Sequence, residues 1–96
     1  MEVVFHVEKS KFRSILEKLK KDEKVSLASI KSRDASIIGK EGYIILISGL
    51  EEYCNKAKEI VGNDGTLLSN EEMEKVKKEI EKEEEEAKQG FGFILG

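Results

Sequence analysis

Tyr43–Ser48 reads YIILIS. Six residues without a charge, in a chain that is 39% charged, need cover on both sides of the backbone. A strand apolar on both faces belongs in the middle of a sheet. Just before it, Gly39 and Gly42 bracket Lys40 and Glu41, the pattern of a hairpin whose glycines take positive φ. Just after it, Leu50, Tyr53, Cys54, Ala57, Ile60 and Val61 recur at helical spacing, and GNDG at 62–65 stops the run. This middle third therefore predicts strand, helix, turn.

The flanks extend the pattern. Val3, Phe5 and Val7 alternate with Val4, His6 and Glu8, a strand signature. Ser10 is placed to cap a helix whose Phe12, Ile15, Leu16 and Leu19 share one face, while Lys11, Arg13, Lys18, Lys20 and Lys21 lie outside it. Residues 25–48 are rich in Val, Ile and Ser and read as two or three antiparallel strands, with 25–38 either one bent strand or two. Thr66–Leu68 reads as a short strand. Ser69 and Glu72 form a capping box for a third helix over 70–89, seated by Met73, Val76 and Ile80 and ended at Gly90. An apolar tail, 90–96, follows.

This order matches the split βαβ plan of ferredoxin-like domains. The expected fold is α+β: an antiparallel sheet of four to five strands with two helices on one face. A C-terminal acidic helix and the tail complete a single domain over 1–96. The formal net charge of -3 does not announce a polyanionic partner, but its distribution is uneven. Residues 1–48 hold 10 basic and 7 acidic groups; residues 49–96 hold 7 and 13. The single Cys54 excludes an intrachain disulfide and a CxxC zinc site. MEVVFHVEK lacks the basic start and apolar run of a cleavable signal, and no stretch is long enough to span a membrane. A cytoplasmic protein is expected.

Three stretches resemble known sites. GFGFI at 90–94 is similar to the central-strand motif of RNA-recognition domains, whose aromatics stack on bases. At the third-strand position, however, Ile45 and Ile47 stand where further aromatics would stack, and four glutamates precede the tail. IIGKEG at 37–42 is similar to the KH-domain loop, but a strand follows it rather than a helix. NDGTLLSNEE at 63–72 resembles the second half of an EF-hand loop, with Asp64 and Glu71 as ligands; Ile60 and Gly62 occupy the places of two required oxygen donors. A weak calcium site is the cofactor alternative, and otherwise no cofactor is expected. His6 and Cys54 are the lone members of their types and nothing in the spacing pairs them, so no catalytic site is expected.

The Lys/Glu-rich composition, GLEEYCNKAKEIVG at 49–62 and the Gly-Phe tail together resemble small archaeal domains of unknown function. That resemblance implies a small α+β fold and no particular activity. The functional expectation is a non-enzymatic protein-interaction or self-assembly module. Its partner is a second copy or another protein, held through Phe91, Phe93, Ile94 and Leu95. In an extended strand Phe91, Phe93 and Leu95 share one face, which is costly to leave in water. The alternative is nucleic-acid binding through Lys11, Arg13, Lys18, Lys20, Lys21 and Lys40.

Overall fold

The computed structural model describes residues 1–86 in full; its last helix is bounded Asn70–Leu95, and no residue past 86 enters the packing described below. The chain runs β1 (Glu2–Val7), α1 (Lys9–Lys21), β2 (Ser29–Asp34), β3 (Tyr43–Ser48), α2 (Glu51–Val61), β4 (Gly65–Leu67) and α3 (Asn70–Leu95). The strands form one antiparallel sheet in the order β2-β3-β1-β4. This is the ferredoxin-like arrangement, with β3 and β1 central as the two-sided apolarity of YIILIS requires.

Register assigns each residue a face. Val3, Phe5 and Val7 sit opposite Ile47, Ile45 and Tyr43. They form the first core with Ile15, Leu19, Val25, Cys54, Ala57 and Val61, beneath α1 and α2. Val4 and Leu46 pair on the other face, as do His6 and Ile44. There Val4, Ile44 and Leu46 meet Ala35, Leu68, Val76 and Ile80, with Met73 packed alongside. So Met73, Val76 and Ile80 seat α3, and the second sheet face is covered. Each large side chain so buried contributes about 1.5–3 kcal/mol. Ile45 and Ile47 lie under α1 and α2, not on the face that RNA-recognition domains use.

Local chemistry moves several boundaries. α1 starts at Lys9, ahead of Ser10: the amides of Lys11 and Phe12 both donate to the Glu8 carbonyl at 3.0 Å. Residues 25–38 yield one strand, β2, between two 3-10 turns, Val25–Leu27 and Ala35–Ile38. Aspartates set both limits. Asp22 Oδ1 accepts from the amides of Lys24 (2.9 Å) and Val25 (3.0 Å), and Asp34 Oδ1 accepts from Ser36 N at 2.8 Å. Such side-chain acceptors outcompete β propensity locally. The last strand begins one residue early, at Gly65. At the start of α3, Glu72 N donates to Ser69 Oγ at 3.3 Å, as the capping box requires. Gly39 and Gly42 carry φ of 70° and 91°. The expected helix end at Gly90 and the tail 90–96 lie outside the described residues.

Candidate interaction surface

β2 is an outer strand, and its free side can be read from its bonded side. Ala35 N donates to the Gly42 carbonyl at 3.0 Å, continuing the β2–β3 ladder. Antiparallel alternation then turns Arg33, Lys31 and Ser29 toward β3 and leaves the backbone groups of Ile30, Ser32 and Asp34 facing outward. Arg33 Nη1 donates to the outward Ser32 carbonyl at 2.7 Å. The opposite outer strand, β4, is three residues long. β2 thus offers the longer edge for strand addition.

On the covered face, Lys31 and Arg33 point toward α3. Arg33 Nε donates to Glu83 Oε2 at 2.6 Å, and Lys31 Nζ to Glu84 Oε1. Lys77 Nζ reaches Glu2 Oε1 at 2.9 Å, and Lys40 Nζ reaches Glu72 Oε2 at 3.3 Å. Pairs this exposed are worth about 0–1 kcal/mol each. Their consequence is positional: α3 crosses from β4 and β1 and arrives, at Glu83 and Glu84, on β2.

These pairs also respond to acid. The Lys77 hydrogen bond holds Glu2 below the ordinary carboxylate value, and Glu2 in turn raises Lys77. The Lys40 hydrogen bond does the same to Glu72. A depressed carboxylate contributes stability that is fully present above its unfolded value and lost as pH falls through its folded value. The urea midpoint should therefore fall below about pH 4.5. Lys77→Met should make that acid limb shallower, as denaturation at pH 3 and pH 7 would show.

A groove of about 390 Å³ lies along α1, lined by Lys9, Phe12, Arg13, Leu16 and Tyr43. The Phe12 and Tyr43 rings stack at 4.2 Å with 23° between planes. Lys11 pairs with Asp64 at 3.7 Å, which turns the Lys11 flank of α1 toward the turn before β4. At about 100° per residue, Lys9, Arg13, Leu16 and Lys20 fall on the opposite flank, toward β2. Ile30 and Ser32 share the α1 side of the sheet, because their partners are Ile47 and Ile45. Lys9 and Arg13 have no ion-pair partner among the described residues.

The structure does not gather the predicted nucleic-acid residues into one patch. By the same angle, Lys11 and Lys18 lie on one flank of α1, Arg13 and Lys20 on the other, and Lys21 outward between them. Lys40 sits beyond the sheet, on the β2–β3 hairpin, paired with Glu72. The predicted calcium residues fare similarly. Asp64 is engaged by Lys11, and Glu71 is exposed in the first turn of α3. No group of three or more His, Cys, Asp or Glu stands ready for a metal among the described residues. Phe91, Phe93, Ile94 and Leu95 lie outside the described residues.

A second concavity, about 740 Å³, opens at the hairpin end between His6, Glu8, Lys9, Asp34, Ser36, Lys40, Glu41 and Gly42. Its polar groups are largely committed to the fold: His6 Nε2 donates to the Glu41 carbonyl at 2.6 Å, Asp34 caps Ser36, and Lys40 holds Glu72. Cys54 is buried on the α1–α2 side of the sheet, where burial pushes its thiol up, while His6 belongs to the other face. The sheet stands between them. No helix among the described residues is long and apolar enough to cross a membrane.

The chain matches no family model, no curated protein and no solved structure.

Proposed function

We propose that this chain is a small, non-enzymatic self-association module of the cytoplasm, joining two copies through β2 and the segment that follows α3. One observation carries this reading. The Arg33–Glu83 and Lys31–Glu84 pairs bring the described end of α3 onto the outermost strand, beside the outward groups of Ile30, Ser32 and Asp34. The fully described part of α3 thus ends beside the outer edge of the sheet, and the sequence at 90–96, GFGFILG, is apolar. Strand addition across a two-fold axis uses one edge and one segment from each chain, so the same surface closes the assembly. No cofactor enters this reading.

Light scattering tests it. The full chain should have the mass of a dimer at micromolar concentration, and a chain ending at Lys88 that of a folded monomer. A monomer in both cases would end the proposal. The stacked Phe12–Tyr43 pair beside Lys9 and Arg13 favours a second reading, single-stranded nucleic-acid binding, since aromatics and cations together hold bases and phosphates. Salt-sensitive binding of an unstructured RNA at that groove by a monomeric full chain would favour it.

A further inference from the structure

Strand addition at β2 has to use its outward backbone groups, and a central one is already engaged. Ile30, Ser32 and Asp34 face away from β3, with Ser32 in the middle. A strand laid beside β2 needs the Ser32 carbonyl as an acceptor. Arg33 Nη1 donates to that carbonyl at 2.7 Å, while Nε of the same guanidinium donates to Glu83 Oε2 at 2.6 Å. Arg33 belongs to the strand and Glu83 to α3, so one rigid, planar group joins the helix to the free edge. Resting on the self-association reading, we propose that Arg33 is a guard on the β2 edge, held in place by Glu83. Two copies pair there only after Nη1 has left the Ser32 carbonyl.

The neighbouring lysine shows what is particular to Arg33. Lys31 and Arg33 share a sheet face, since their partners are Leu46 and Ile44, and both pair with α3. Arg33 also turns back to the edge; Lys31 does not. A guanidinium carries separate N–H groups for a carboxylate and a carbonyl, in a fixed fork. Its bond to Ser32 is charge-assisted, and so stronger than one between neutral groups. A charged side chain laid over an edge is also a common means of keeping sheets from pairing indiscriminately. The guard is conditional on α3. Glu83 fixes the direction of the guanidinium, and the Arg33 side chain is 32% exposed, so once released it has solvent to enter. Association then depends on how α3 sits on the sheet as well as on the edge itself.

Dimer dissociation constants of full-length variants, from light scattering over a dilution series, test this. Arg33→Met keeps the apolar stem and removes every donor. It should tighten dimerisation at least about fivefold, because a hydrogen bond from a charged group no longer has to be broken on each chain. Glu83→Ala releases the guanidinium without removing it and should tighten dimerisation by less. Lys31→Met loses the Glu84 pair but uncovers no carbonyl, and should not tighten it. In a dilute, monomeric sample the Ser32 carbonyl carbon should move upfield in Arg33→Met, as a carbonyl does on losing a hydrogen bond. A Ser32 resonance that stays in place overturns the proposal. So does a shifted resonance with an unchanged or weaker dimer, and there self-association stands. Equal tightening by Lys31→Met assigns the effect to a loosened α3 and overturns the guard as well. A monomeric native chain beside a dimeric Arg33→Met supports the guard and ends self-association of the native chain. Monomers throughout end both.

Discussion

Gly42→Ala should destabilise the domain by about 3–5 kcal/mol, a large part of the 5–15 kcal/mol that holds a typical domain together. Two effects add. Gly42 has φ 91°, a conformation that costs a non-glycine residue about 1–3 kcal/mol. A Cβ there would also stand 2.4 Å from the Val7 carbonyl oxygen and 3.4 Å from Glu8 Cα. Those are backbone atoms at the β1–α1 junction, so relief requires β1 or the hairpin to move. The same junction anchors Tyr43, which pairs with Val7 and forms part of the groove. Gly39 supplies the control. Its φ is also positive, at 70°, but nothing lies within 4 Å of its Cβ position. Gly39→Ala should cost only about 1 kcal/mol. Urea midpoints of the two variants measure the difference directly; equal losses would mean that the close approach at Gly42 contributes nothing.

Val76→Asp should detach α3 while leaving the rest of the domain folded. Val76 is fully buried against the face that holds Val4, Ile44 and Leu46. Losing it removes about 1.5–3 kcal/mol of burial, and a carboxylate in its place meets no partner there. The helix has a cheaper course than global unfolding, which is to leave. Its other buried anchor is Ile80, helped by the partly buried Met73 and ion pairs of small individual value. Hydrogen exchange should show the α3 amides unprotected and the β3 and α2 amides still slow. Dye binding to the uncovered Val4, Ile44 and Leu46 face should rise. Uniform loss of protection would instead mean that α3 and the sheet form one cooperative unit.

Much of this was legible in the sequence because the signals were local. YIILIS marked β3 as central, since burial on both faces keeps charge out of the run. Leu50–Val61 carried its own helical period, and Ser69 with Glu72 announced the start of α3. β2 was harder to delimit. Its bounds depend on how Asp22 and Asp34 spend their carboxylates, and a Val/Ile/Ser-rich stretch does not reveal that. The start of α1 shifted for a similar reason: the Glu8 carbonyl, not the Ser10 hydroxyl, receives the first amides.

The candidate interaction surface was the least legible part. Lys31 and Arg33 lie about fifty positions from Glu84 and Glu83, with no local pattern to join them. Their alternation on a strand, opposite in sign to the run 83–86, was the available clue. The groove depends on Phe12 meeting Tyr43, which follows only once β1 and β3 are in register. The lysine count on α1 did not show where each residue would point, because a helix with a buried stripe splits its basic residues onto two flanks.

The most direct test of self-association at β2 is an amide-resonance dilution series on the full chain. With rising concentration, the outward amides of Ile30, Ser32 and Asp34 should shift and their exchange with solvent should slow, while the amides of α2 stay unchanged. Concentration-independent β2 amides, or changes centred on α2, would contradict the account.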